Sequence, residues 1–154
     1  MVRSAEEMVV RSSVRVPLGV DEAFRLFTER MHEWWPLPSH SVYGEDAVDV
    51  RVDPRVDGAI IERTKDGRTA EWGTMTVWDA PRRLAFTWYP GQDARFATNV
   101  EVTFVASEAG GTQVELVHTG WEARGERAAE LVQSYGPGGE LVLGRFEERA
   151  RNAG

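Results

Sequence analysis

The 154-residue chain contains no cysteine, which excludes disulfides, thiol nucleophiles and thiolate metal sites. It has only three histidines, and among its 18 basic residues only Lys65 is a lysine, so guanidinium forks carry nearly all its positive charge. No apolar run approaches the ~20 residues of a membrane span, and Met1 to Val10 lacks the basic-then-apolar order of a secretory leader. The expectation is a cytoplasmic protein with no membrane insertion. Positive charge is also outnumbered: 18 basic against 25 acidic residues leave a net charge of −7, which repels a phosphate backbone. Nucleic acid is not an expected partner.

Catalytic motifs are missing as well. There is no Gly-x-Ser-x-Gly elbow and no serine with a neighbouring base. His32-Glu33 lacks the second histidine of a His-Glu-x-x-His helix, and a proline-rich stretch separates His32 from His40. Gly136-x-Gly138-Gly139 has no Gly-Lys-Ser/Thr ending, so it reads as a helix break rather than a phosphate loop. No catalytic residue, cofactor or metal is assigned on these grounds.

What the chain does have is 42% hydrophobic residues, enough for one domain with a real core, ordered over about residues 8–150. Met8 to Val16 alternates as a strand, with Val10, Ser12, Val14 and Val16 on one face. Asp21 to Arg30 follows as a helix whose stripe is Ala23, Phe24, Phe27 and Met31, with Asp21 and Glu22 at the positive end of its dipole. Glu33-Trp34-Trp35-Pro36-Leu37-Pro38 permits only a short turn, because two prolines forbid a long helix. Strands are then expected at 47–52, 59–64, 70–78, 83–89, 97–105 and 113–119, with Asp66-Gly67 as the clearest hairpin turn. Six or seven antiparallel strands result. Arg124 to Arg151 has helical spacing, broken at Gly136-Pro137-Gly138-Gly139, with a final helix from Glu140.

One strand, a helix, a run of strands and a terminal helix describe an α+β protein in which a curved antiparallel sheet grips a helix. Such a sheet can leave an apolar cavity between itself and the helix. Trp34, Trp35, Trp88 and Trp121 are candidate wall residues, since aromatics dominate apolar ligand sites. Phe86 shares a strand face with Leu84 and Trp88. His118 alternates with Val114 and Leu116 on an inward face, where an imidazole can pack, orient a ligand or carry a proton. Tyr43 and Tyr135 offer phenolic hydroxyls. The parity of Trp72 and Trp78 puts them on one face, either inward or outward; outward rings would offer a homodimer contact.

The sequence resembles the START-like, or SRPBCC, superfamily, and within it the branch related to the C-terminal domain of the activator of Hsp90 ATPase. The resemblance rests on Val16-Pro17 before Asp21-Glu22-Ala23-Phe24, on Glu33-Trp34-Trp35-Pro36, on Gly73 and on Asp79-Ala80-Pro81-Arg82-Arg83-Leu84-Ala85-Phe86-Thr87-Trp88. His118-Thr119-Gly120-Trp121 and the Gly138-Gly139 to Arg145-Phe146 stretch complete it. It implies a helix-grip fold whose members bind lipids, polyketides or hormones, with some cyclising aromatic polyketides or acting as cochaperones. The expected function is therefore enclosure of an apolar or aromatic small molecule. The alternatives are a cyclase or aromatase-type enzyme using the same cavity, and a cochaperone-like interaction module. The cochaperones of the resemblance carry a separate N-terminal domain that this sequence does not show, so a chaperone partner is not expected.

Overall fold

The computed structural model describes residues 9–121, 123, 125 and 141–152. Seven antiparallel strands form one sheet: β1 (Val10–Val16), β2 (Ala47–Val52), β3 (Ala59–Thr64), β4 (Thr69–Asp79), β5 (Arg83–Trp88), β6 (Thr98–Ala106) and β7 (Thr112–Thr119). Their spatial order is β1-β7-β6-β5-β4-β3-β2, a meander whose first strand closes onto its last. Helix α1 (Val20–Thr28) and a C-terminal helix, α2 (residues 141–152), pack in the hollow of the curled sheet. This is the helix-grip arrangement. The expected break at 136–139 lies outside the described residues.

Helix α1 starts without a side-chain cap at Gly19, and Asp21 and Glu22 in its first turn complement the positive end of the dipole. It ends before the expected Arg30. The Thr28 hydroxyl donates back to the Phe24 carbonyl at 2.8 Å, and the Arg30 N–H reaches the Arg25 carbonyl rather than continuing the helical ladder. Met31 therefore enters the core from a separate 3-10 turn, Met31–Glu33, not from the helix stripe. Pro36 and Pro38 keep the next segment non-helical.

Strand β4 decides how the tryptophans are aimed. Its pairing slips once against β3, where Ile60 faces Gly73 but Ile61 faces Glu71, and once against β5, where Met75 faces Phe86 but Val77 faces Ala85. Each slip adds a residue and reverses the side-chain alternation. Trp72, Met75 and Trp78 consequently all face the hollow, three residues apart. Gly73 makes the first slip possible: a β-carbon there would lie 1.8 Å from the Thr87 carbonyl oxygen. Both Trp72 and Trp78 being inward, neither offers the outer dimer contact.

The packed half of the hollow is built from Phe24 and Phe27 of α1, Phe104 of β6 and Phe146 of α2. Phe24 and Phe104 meet edge-to-face at 5.1 Å, Phe27 and Phe146 at 5.5 Å. Outside the hollow, Glu33 joins the 3-10 turn to α2, accepting from Arg30 and from Arg149, each at 2.6 Å. Those hydrogen bonds, Arg30's first and then Arg149's, hold its carboxyl down to about 2 from an ordinary 4.5.

Candidate functional site

The other half of the hollow is not filled. A cavity of about 610 Å³ lies there, open on one side and lined mainly by apolar side chains. Its floor is a single row across the sheet: Phe86 of β5 pairs with Val100 of β6, which pairs with His118 of β7, which pairs with Val10 of β1. Alternation makes this row face one way. Phe27, Met31, Ile60, Leu116 and Val142 of α2 close the sides.

Three tryptophans form the wall. Trp35, from the loop after the 3-10 turn, lies 4.9 Å from Trp72 of β4 and 5.8 Å from Trp88 of β5, measured between ring centroids. Trp72 and Trp88 are 5.7 Å apart and nearly perpendicular. All three line the cavity, so part of their indole surface is presented to it. The polar ends of Trp35 and Trp72 are satisfied by other parts of the chain. The Trp35 indole N–H donates to the His40 carbonyl at 2.7 Å, and the Trp72 indole N–H donates to the Glu62 carboxylate at 2.6 Å.

Polar groups stand at two places. On the floor, His118 Nε2 is 2.5 Å from the Thr98 hydroxyl, and its ring stacks on Trp121 with centroids 4.2 Å apart. The Thr98 hydroxyl also reaches the Trp88 carbonyl at 3.4 Å; when it donates there, His118 Nε2 must carry the proton and donate to it. At the rim, Ser39, His40, Ser41 and Gln92 line the opening, with the Ser39 hydroxyl 2.7 Å from His40 Nδ1. Among the described residues, no group of three histidine or acidic side chains stands close enough to hold a metal ion.

Of the residues singled out in the sequence, Trp35, Phe86, Trp88 and His118 come together on the cavity surface. Trp34 does not. Its ring is buried between Phe27 and Phe146, and its indole N–H donates to the Leu26 carbonyl at 2.8 Å, so it belongs to the packed half. Trp121 is wholly buried behind His118, donating to that residue's carbonyl at 3.1 Å. Tyr43 turns away from the cavity; its hydroxyl donates to the Thr69 carbonyl at 3.0 Å and the Arg68 guanidinium covers its ring. Tyr135 lies outside the described residues.

Sequence reasoning left Trp72 undecided and passed over Thr98 and Glu62. Both of the latter carried a signal. Thr98 is two residues from Val100 and so on its face, and Glu62 interrupts the inward series Ile60, Glu62, Thr64 of β3 with a charge.

Three comparisons bear on what such a site does. The sequence profile of the family described as Activator of Hsp90 ATPase homolog 1-like protein matches residues 18–147. No curated protein matches the chain. Among solved structures, the chain is similar to the anthrahydroquino-gamma-pyrone synthase Txn09, solved in a complex: 34% identity over 95% of this chain and 99% of that one, with a TM-score of 0.64. It shares its fold with DynU16, a protein of the dynemicin biosynthetic locus, at 19% identity over 91% of this chain and 46% of that one, with a TM-score of 0.63. The Aha1 dimer of Colwellia psychrerythraea shares the fold too, at 11% identity over 94% of this chain and 96% of that one, with a TM-score of 0.65.

Proposed function

The chain belongs to the Activator of Hsp90 ATPase homolog 1-like family, and from that premise we propose that it binds a flat aromatic, polyketide-like small molecule between its sheet and α2. The observation that carries this reading is the triangle of Trp35, Trp72 and Trp88 facing an unfilled cavity of about 610 Å³. That size is in the range of roughly 300–1,000 Å³ usual for small-molecule sites. Burial of apolar ligand surface supplies about 25 cal/mol per Å² before the costs of association, and ring stacking on indole adds to it. Indole faces select planar rings over flexible chains, and His118 supplies a hydrogen bond to a carbonyl or phenol on the ligand's edge. The 34% identical Txn09 is described as a synthase of a fused aromatic pyrone, which agrees with a ligand of that shape.

The test is a tryptophan-fluorescence titration with emodin, a trihydroxyanthraquinone, against palmitate as an aliphatic control. Saturable quenching by emodin at concentrations where palmitate has no effect is expected. Equal responses to both, or none to either, would overturn the reading.

A second reading has its own support: the cavity serves a ring-closing reaction, with His118 moving a proton at Nε2. The Txn09 description and the His118–Thr98 hydrogen bond at the cavity floor favour it. His118→Ala discriminates. An enzyme loses turnover of a linear poly-β-keto substrate while emodin still binds, weakened by no more than the roughly tenfold that one lost hydrogen bond accounts for; a binding protein shows no turnover in either form.

A further inference from the structure

Glu62 is wholly buried, and no arginine or lysine of the described residues is bonded to it. Its carboxylate accepts three N–H groups instead. Oε1 takes the Val42 amide at 2.8 Å and the Trp72 indole at 2.6 Å; Oε2 takes the Tyr43 amide at 2.8 Å. Hydrogen bonds to an ionised acceptor are the strong ones, and a carboxylate taken out of water without them would be costly. The residue thus binds two things at once: a ring of the tryptophan wall and the loop that forms the cavity rim.

That loop is held from its other end by the same wall, because the Trp35 indole N–H donates to His40 of the rim. It also touches the opposite rim. Gly91 has φ +66°, and a β-carbon there would come within 3.1 Å of the Val42 methyls, so the two loops meet in van der Waals contact. Neither Glu62 nor its two amide partners belongs to the packed half of the hollow.

We propose that Glu62 is the positioning residue of the cavity, fixing the Trp72 ring and the Val42–Tyr43 rim in one geometry so that the site is pre-formed for a planar ligand. The proposal rests on the ligand reading above. Pre-formation matters because ordering a loop and a large side chain at the moment of binding subtracts from affinity.

Glu62→Gln keeps the shape but turns one acceptor into a donor that faces an N–H. Hydrogen exchange at the Val42 and Tyr43 amides should accelerate by about tenfold or more while the Val102 and Phe104 amides of the sheet keep their rates. Emodin should bind about tenfold more weakly to the variant. Unchanged exchange at Val42 and Tyr43 overturns the proposal, as does equal acceleration everywhere, which is general destabilisation. If Glu62→Gln does not fold, Trp72→Phe removes the indole donor together with part of the ring and should weaken emodin binding without speeding the sheet amides; full affinity in that variant overturns the proposal equally. Wild-type protein that ignores emodin but shows the local exchange effect would sink the ligand reading and leave Glu62 as an anchor of the rim alone.

Discussion

Two regions of the same hollow use the same kind of residue to opposite ends. Around α1 and α2, Phe24, Phe27, Trp34, Phe104 and Phe146 meet ring against ring with centroids 5.1 to 5.8 Å apart, and of these five only Phe27 also borders the cavity. Around the cavity, Trp35, Trp72 and Trp88 lie at similar separations from one another, yet the surface they share looks onto space. Aromatic content alone does not separate a core from a binding wall. Among the described residues, what separates them is whether rings of α1 and α2 pack onto the ring, as they do onto Phe104 and Trp34.

The contrast should be visible in mutants. The largest effect belongs to the packed half: Phe104→Ala removes a ring that both Phe24 and Phe27 touch and should cost about 3–5 kcal/mol in denaturant unfolding. A loss under about 1 kcal/mol would mean that this half is as loose as the other. Next comes Trp88→Leu, in the wall. Its ring lines the cavity, so stability should fall by only about 1 kcal/mol, while emodin affinity drops about tenfold, equivalent to about 1.4 kcal/mol. The reverse pattern, large instability with affinity kept, would place Trp88 in the core.

The smallest effect sits outside both halves, at the Glu33 link between the 3-10 turn and α2. Because Arg30 and Arg149 hold the folded carboxyl down to about 2, below its ordinary 4.5, the link stabilises the fold fully above pH 4.5 and is lost as pH falls through about 2. Solvent screening at this partly exposed site reduces its worth to about 1 kcal/mol. Glu33→Gln should therefore destabilise by that amount at neutral pH and flatten the acid limb of the stability profile between pH 4.5 and 2. An unchanged acid limb would show that other carboxylates set it.

The sheet was legible in the sequence because strand alternation and turn residues are local: all seven strands lie within about two residues of the expected spans. The floor of the cavity followed from the same alternation, as Phe86 and His118 show. The wall did not. Trp34 and Trp35 are neighbours, and only the 3-10 turn before them sends one into the core and the other to the cavity. Trp72 was undecidable because two register slips in β4 reverse parity twice, leaving Gly73 as their single outward sign. Trp121 was misjudged for a related reason: a ring that stacks on His118 hides behind it, and spacing does not distinguish the front of a histidine from its back.

The most direct test of the tryptophan wall is native mass spectrometry of the wild-type protein and Trp88→Leu, each mixed with equimolar emodin and palmitate. A one-to-one emodin complex in the wild type, with little palmitate complex and a much reduced emodin signal in the variant, is the predicted result. Equal occupancy by the two ligands, or an emodin signal untouched by Trp88→Leu, would contradict it.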